Sequence, residues 1–403
     1  MTETTPVPLL EPAAGVPPVV ASAGALDAAV AMLDGGTGPV AVDTERASGY
    51  RYWQRAYLVQ LRRAGAGTVL IDPTGLDDLS ELAGVLNPQE WVLHAASQDL
   101  PCLAELGLAP AAVFDTELAA RLAGLERVGL AALVEELLGY HLQKGHGAAD
   151  WSRRPLPPEW LTYAALDVEL LLPLRSVIAA ELDAQGKSGW AAEEFETVRN
   201  AGPPAPRTDP WRRTSGMHHI HHPRELAAVR ELWHARDQLA QQRDIAPGRV
   251  LPDTAIIDAA LADPPDEAAL LSRPVFSGRA QRRHVKTWLA AIQTARALPA
   301  SELPSLRAQG AGPPPLNRWP DRDPAAAVRL TTARATLIEI AEHHRLPLQN
   351  LLAPEVVRRL CWEPPEPLDA AAVERGLVAS GARRWQCELT AHPLATALTV
   401  ASG

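Results

Sequence analysis

Strand-like and helix-like segments alternate from residue 19 to 196, and after Asn200 the strand signals all but cease. No other feature narrows the fold as much. Interleaved strands and helices call for a mixed α/β sheet covered on both faces, whereas the rest of the chain must build its cores from helices. The seam is AGPPAPRTDP, a Pro-rich linker. A second such piece, QGAGPPPLNRWPDRDP at 309–324, divides the helical part into two units of small-domain size. A chain of 403 residues is also long for one core.

In the first part, strands are predicted over 39–45, 56–61, 67–71, 90–94 and 112–115, the second and third joined as a hairpin across RRAGAG. Helices are predicted over 24–34, 75–85, 99–106, 116–123, 129–138 and 159–182. The opening MTETTPVPLLEPAAGVPP has neither a basic start nor an apolar core, so residues 1–18 are expected to be a flexible tail and no signal peptide. In the helical part, AQQRDIAPGRVLPD at 240–253 and AEHHRLPLQNLLAP at 341–354 share a pattern. An offset of 101 aligns Ala240 with Ala341, Ile245 with Leu346, Val250 with Leu351 and Leu251 with Leu352, which reads as a repeated unit.

Composition sets bounds on function. No apolar run reaches the roughly 20 residues that span a bilayer, so no membrane association is expected. Cys102, Cys361 and Cys387 are too scattered for a zinc site and fit a reduced, cytoplasmic setting. The cluster MHHIHHP at 217–223 crowds His218, His219, His221 and His222 too closely for easy tetrahedral coordination, and reads as a surface turn. A net charge of −10 argues against a chain that simply coats nucleic acid. Yet Arg273, Arg279, Arg282, Arg283, Lys286 and Arg296 occur without an intervening Asp or Glu. Arg279, Arg283 and Lys286 are spaced to share a helix face, with Trp288 and Leu289 behind them. That stripe suits phosphate contact; a solvated charged face is the competing explanation.

The acidic pattern is sharper. In VAVDTE, Asp43 and Glu45 stand two apart on a strand and therefore on one face, where each raises the cost of ionising the other. Asp99 follows a later strand in WVLHAASQDL, at a helix start. Tyr163 and Asp167 are four apart on a helix in YAALD, hence on one side. Each element alone has an ordinary explanation. Together they can converge on one cleft, where four carboxylates require cations. Hard divalent ions accept oxygen ligands, and two of them suit in-line displacement at phosphorus. His94, at the end of its strand, reads as a packed, hydrogen-bonded histidine rather than a ligand.

VDTE, HAASQDL and YAALD resemble, in order, the three motifs of the DEDD exonucleases of the tyrosine subclass. DWSRRPLPPEWLTYAALDVELLLPL, with KGHGAADW leading into it, is similar to the third-motif neighbourhood of the ribonuclease D family. The helical units resemble HRDC domains, nucleic-acid-binding modules shared with RecQ-type helicases, the first unit more closely than the second. The resemblance implies an α/β mixed-sheet, ribonuclease H-like exonuclease domain at 19–200, a linker at 201–215 and an HRDC domain at 216–300. A Pro-rich linker at 301–324 and a second HRDC-like domain at 325–403 would follow.

It further implies that Asp43 bridges two divalent cations, Mg²⁺ or Mn²⁺, with Glu45 and Asp167 completing one shell and Asp99 holding the other ion. Tyr163 would orient the attacking water or help remove its proton. Lys144 and His146 could contact the RNA backbone near the cleft, as could Arg279, Arg282, Arg283 and Lys286 beyond it; a solvated loop explains Lys144 and His146 equally well. One departure is Arg46, where many members place an aromatic residue, so Tyr50, Tyr52 or Trp53 is expected to stack the terminal nucleotide instead.

The function implied is metal-dependent 3′–5′ exoribonuclease action on single-stranded RNA 3′ ends, tRNA precursors among them, with no obligate protein partner. One alternative keeps the chemistry on DNA, as in Werner-type or proofreading exonucleases. Another is a non-catalytic RNA-binding adaptor, whose signature would be a lost carboxylate.

Overall fold

The computed structural model describes residues 6–143, 145–203, 205–306 and 312–402. Its main sheet has the order β2-β5-β4-β3-β6-β7. The strands are β2 (Val19–Val20), β3 (Thr37–Arg46), β4 (Ala56–Ala64), β5 (Gly67–Ile71), β6 (Glu90–Leu93) and β7 (Ala112–Asp115). Strands β3, β4 and β5 form an antiparallel meander, whereas β6 and β7 run parallel to β3. Parallel neighbours align their carboxyl ends at one edge, the usual place for a site in such sheets.

Side-chain alternation along β3 divides the two cores. Val40 and Val42 pack with Trp91, Leu93 and helices α1 (Ala23–Asp34) and α2 (Ser80–Leu86). Ala41 packs on the opposite face with Phe114 and with Leu171, Leu174 and Ile178. The helices completing this domain are α3 (Leu100–Ala104), α4 (Thr116–Ala123), α5 (Leu130–Leu138), α6 (Pro158–Glu169), α7 (Leu171–Ala184) and α8 (Ser188–Asn200). The single helix expected over 159–182 is broken at Leu170. Pro173 cannot donate to the carbonyl of Glu169 and its ring crowds that group, so the chain restarts as α7.

The expectation of a flexible tail needs correction. Strand β1 (Val7–Leu9) pairs in parallel with β8 (Tyr140–Leu142), and Ala13 N–H donates to the Glu169 carboxylate. Three residues pairing with a segment so distant leave no local signal in the sequence.

The helical part comprises α9 (Pro223–Arg243), α10 (Pro247–Val250), α11 (Asp253–Ala262), α12 (Glu267–Leu271), α13 (Arg279–Arg282) and α14 (Val285–Ala297). After the second Pro-rich piece come α15 (Trp319–Arg322), α16 (Pro324–His343), α17 (Leu348–Leu351), α18 (Pro354–Trp362), α19 (Ala370–Ala379) and α20 (Arg384–Ser402). Helices α9, α10 and α11 each begin 101 residues before α16, α17 and α18. The aligned leucine, valine and alanine positions are buried in both copies, Ile245 only partly.

Both helical units dock on the exonuclease-like domain. Trp385 stacks on Trp190 at 4.9 Å and donates to Glu194, which also binds Arg383. The buried Lys187 ammonium donates to the carbonyls of Leu122 at 2.7 Å and His344 at 2.6 Å. On the other side, the loop after β3 meets α9 and α10: Tyr52 and Trp53 N–H groups donate to Asp244, and Arg249 donates to the Gly49 carbonyl at 2.7 Å.

Candidate active site

The side of β3 that carries Ala41 also carries Asp43 and Glu45, and α6 and α7 cover it. One turn of α6 separates Tyr163 from Asp167, close enough for the carboxylate to favour the protonated Tyr163 hydroxyl. One carboxylate oxygen from each of Asp43, Glu45 and Asp167 lies within 4.8 Å of the others. Among the described residues, this is the group fit to hold a metal ion. An all-oxygen set suits a hard cation with bonds of about 2.0–2.6 Å, not the nitrogen and sulfur chemistry of structural zinc.

Asp99 arrives from the other side. Thr44, pointing away from its two acidic neighbours, donates to Asp99 at 2.7 Å. Arg46 closes the link: the register of β3 against β4 slips between Glu45 and Arg46, and such bulges re-aim side chains. Its guanidinium donates to the Gln98 carbonyl at 2.8 Å and lies 3.7 Å from Asp99.

Without a cation this cluster cannot be fully ionised near neutral pH. Burial, then the charges of Asp99 and Asp167, pushes Asp43 well above the usual carboxylate range. Burial and Asp43 push Glu45 up to about 10. Burial raises Asp99 to about 6 and Asp167 to about 7. Tyr163 moves upward too, through burial and then Asp167. Without a cation it therefore keeps its proton.

The cleft over these groups has a volume of about 370 Å³ and is lined by Asp43, His94, Leu142, Gly145, Tyr163 and Asp167, among others. Gly145 permits the close approach of its loop, since a Cβ there would stand 3.1 Å from the Tyr163 ring. The buried Trp151 anchors that loop by donating to the His146 carbonyl. His146 is half-buried, its ring edge-on to Tyr163 with centroids 5.8 Å apart. Lys144 lies outside the described residues.

Two features of the site are not legible in the sequence. Asp115 caps α4 and its carboxylate also accepts from Ala95 and Ala96, fixing the left-handed turn at Ala95 that leads to Asp99. An Asp between a strand and a helix is an N-cap signature, but its second role is tertiary. His94 is hydrogen-bonded as its position implies, with Nδ1 meeting Thr116 at 2.9 Å; it also faces the cleft.

The expected stacking role of Tyr50 and Tyr52 is corrected. Arg249 covers the Tyr50 ring at 4.0 Å and the Tyr52 hydroxyl donates to Asp237, so both serve the contact with α9 and α10. Trp53 is 41% exposed and packs edge-on to Tyr52. The basic stripe also changes. Arg273 pairs with Asp258 and Arg296 with Asp263, carboxylates the sequence places outside the run. Arg279, Arg282, Arg283 and Lys286 are exposed, but the helix is interrupted between α13 and α14. His218, His219, His221 and His222 stand at the entry to α9, all four exposed, and Glu225 accepts from the His221 and His222 N–H groups.

Comparison with known proteins places this geometry. A family model described as a 3′–5′ exonuclease matches residues 19–183, one for the HRDC domain matches 225–292, and one for a 3′ to 5′ exonuclease C-terminal domain matches 312–398. Ribonuclease D of Granulibacter bethesdensis is 31% identical over 332 residues, 80% of this chain and 81% of that one. A crystal structure of a protein from Bifidobacterium adolescentis superposes with a TM-score of 0.91 at 39% identity, covering 98% of this chain and 100% of that one. Escherichia coli RNase D, described as an exoribonuclease involved in structured RNA processing, superposes with a TM-score of 0.68 at 26% identity, covering 95% and 98%. With its three motifs gathered in one cleft and its relatives aligned along most of its length, the chain belongs to the ribonuclease D family and is a 3′–5′ exoribonuclease.

Proposed function

We propose that this exoribonuclease trims the single-stranded 3′ ends of stable RNAs, tRNA precursors among them, in the cytoplasm, using two divalent cations, Mg²⁺ or Mn²⁺. The convergence of Asp43, Glu45 and Asp167 within 4.8 Å carries the metal reading. Asp43 would touch both ions, with Glu45 and Asp167 on one and Asp99 on the other. When bound, the cations supply charge neutralisation and Lewis acidity for in-line displacement at phosphorus.

The chain's own groups do the rest. Tyr163 would orient the attacking water or a phosphate oxygen with its hydroxyl, or help remove the water's proton. Thr44 and Arg46 hold Asp99 in place. Released products are 5′-monophosphates, and the strand left behind ends in a 3′-hydroxyl. Arg279, Arg282, Arg283 and Lys286 would grip RNA upstream, with Lys144 and His146 nearer the cleft, so affinity need not come from the cleft alone. The role of Escherichia coli RNase D in structured RNA processing supports a structured RNA with a trailing 3′ end as substrate.

The test uses 5′-labelled RNA, the matching DNA, and a tRNA-like hairpin with a 3′ trailer, each with Mg²⁺, Mn²⁺ or EDTA. A ladder receding from the RNA 3′ end, stopping near the hairpin and absent with Asp43→Asn, supports the proposal. Equal shortening of DNA would shift the substrate to the DNA alternative. Retention of intact RNA under every metal condition would instead favour a binding adaptor.

A further inference from the structure

His94 stands at the carboxyl end of β6 and lines the cleft with Asp43, Tyr163 and Asp167. Its ring is half-buried, and no step described so far uses it. Its hydrogen bonding fixes which nitrogen carries the proton. Thr116 Oγ1 lies 3.1 Å from the Leu93 carbonyl, which can only accept, so the single hydroxyl proton is committed there. The 2.9 Å contact between His94 Nδ1 and Thr116 Oγ1 must then use a proton on Nδ1. Nε2 is left bare, an acceptor on a residue that lines the cleft, with no hydrogen-bond partner among the described residues. Burial holds the ring neutral by lowering its pKa to about 4.

What would such an acceptor meet? Phosphate oxygens and the ring oxygen of ribose are acceptors themselves and would be disfavoured. Base amino groups are donors, but uracil has none, and an enzyme that removes successive nucleotides cannot depend on them. That leaves water, whose contact would be the same on RNA and DNA, and the sugar hydroxyls. The 3′-hydroxyl is free only at the end of the strand and is common to RNA and DNA. The 2′-hydroxyl occurs on every ribonucleotide and marks RNA.

We propose that Nε2 of His94 reads the sugar, accepting a hydrogen bond from the 2′-hydroxyl of the nucleotide seated in the cleft. The inference rests on the exoribonuclease activity and adds a residue that selects RNA over DNA. His94 and Thr116 act together: Thr116 orients the ring and fixes the tautomer, and His94 makes the contact.

The experiment compares four oligomers that differ at one sugar: all-ribose, 2′-deoxy at the last residue, 2′-deoxy at the next to last, and 2′-fluoro at whichever of these matters. Each is assayed with Mg²⁺ for kcat/KM and, in EDTA, for affinity by fluorescence anisotropy. Wild type is expected to lose about 5–10-fold in both readouts at one of the two positions, the size of one neutral hydrogen bond. The 2′-fluoro strand, which cannot donate, is expected to behave like the deoxy strand. His94→Phe should bring the ribose-to-deoxy ratio to about 1, and His94→Gln, which can present a carbonyl near Nε2, should recover part of it.

A ratio near 1 in wild type, or a ratio that survives His94→Phe, overturns the proposal. So does an equal loss on ribose and deoxyribose strands in that variant, because it would mark a structural role or contact with the 3′-hydroxyl. Failure of the wild type to shorten any strand would be a separate result, against the exonuclease activity itself.

Discussion

Thr44 donates a 2.7 Å hydrogen bond to Asp99 and thereby ties the strand of the first acidic motif to the helix start of the second. The two residues are buried, 6% and 4% exposed, so the bond is sheltered from water. Thr44→Val removes the donor and keeps the shape. Stability is expected to fall by about 1–3 kcal/mol, and activity by about 10–100-fold, as for groups that orient a metal ligand. Because the Thr44 bond lowers the pKa of Asp99, the acid limb of the pH–rate profile should move to higher pH. Thr44→Ser should restore most of all three. Urea melts and pH–rate profiles decide it, and an unchanged acid limb would remove Thr44 from the site's electrostatics.

The raised carboxylates make a pH-dependent stability with a definite sign. Glu45 titrates at about 10, Asp167 at about 7 and Asp99 at about 6 in the native protein, whereas unfolded carboxyls titrate near roughly 4. Between those limits the native state holds protons that the unfolded chain has released. The stability they contribute is complete below about pH 4, is lost as pH rises through 6 and 7 for Asp99 and Asp167, and goes on falling toward about pH 10 for Glu45. In EDTA, Tm should therefore fall from pH 5 to pH 8, and Mg²⁺ at pH 8 should raise it by favouring the ionised carboxylates. Glu45→Gln should flatten the pH slope and lose most of the Mg²⁺ shift. A slope in Glu45→Gln as steep as in the parent would contradict the assignment.

Gly145 and Gly147 flank the cleft at different clearances from Tyr163. An added Cβ at Gly145 would stand 3.1 Å from the Tyr163 ring, closer than ordinary contact, whereas one at Gly147 would stand 3.5 Å from its hydroxyl. Gly145→Ala should displace the ring or the loop and lower kcat by roughly tenfold or more, since small misplacements at a reacting centre are costly. Tm should change little, both positions being exposed. Gly147→Ala should leave kcat within about twofold on the same reasoning. Equal effects from the two would show that backbone freedom, not clearance, is what matters.

Arg279, Arg282, Arg283 and Lys286 are exposed, whereas Arg273 and Arg296 are partly neutralised by Asp258 and Asp263. If they contact phosphates, Arg279→Ala with Arg283→Ala should weaken RNA binding at low salt. The slope of log affinity against log salt should fall by about 0.7 per lost contact on a single strand. Anisotropy in EDTA across a salt series measures this directly. An unchanged slope would place the RNA on another face of the helical unit.

Local patterns carried a good deal of this protein. Asp43 and Glu45 share a strand face because alternation has a period of two, and Tyr163 and Asp167 share a helix face because they are one turn apart. Both spacings are short-range, so neighbouring residues alone fix them. The repeated helices beginning at Pro223 and Pro324 were legible for the same reason: amphipathic spacing and proline boundaries are local signals.

Other relationships depend on chain segments meeting across long separations. Arg273 looked like part of an uncompensated basic run until folding brought Asp258 to it. Tyr50 and Tyr52 looked available for stacking until α9 and α10 claimed them. A charge or an aromatic ring has no address in the sequence beyond its own helix or strand, and its partner is selected by packing.

The sequence by itself determined the two-part architecture, most of the main sheet's strands and the acidic residues of the cleft, since hydrophobic period, proline punctuation and motif spacing are written in adjacent positions. Only the tertiary structure decided which way Arg46 turns at its bulge, which segments hold Asp99, and that His94 lines the cleft while bonded to Thr116. Those outcomes require a strand end, a helix start and a loop to occupy one small volume, and the energy that brings them together is spread over cores built from the whole chain.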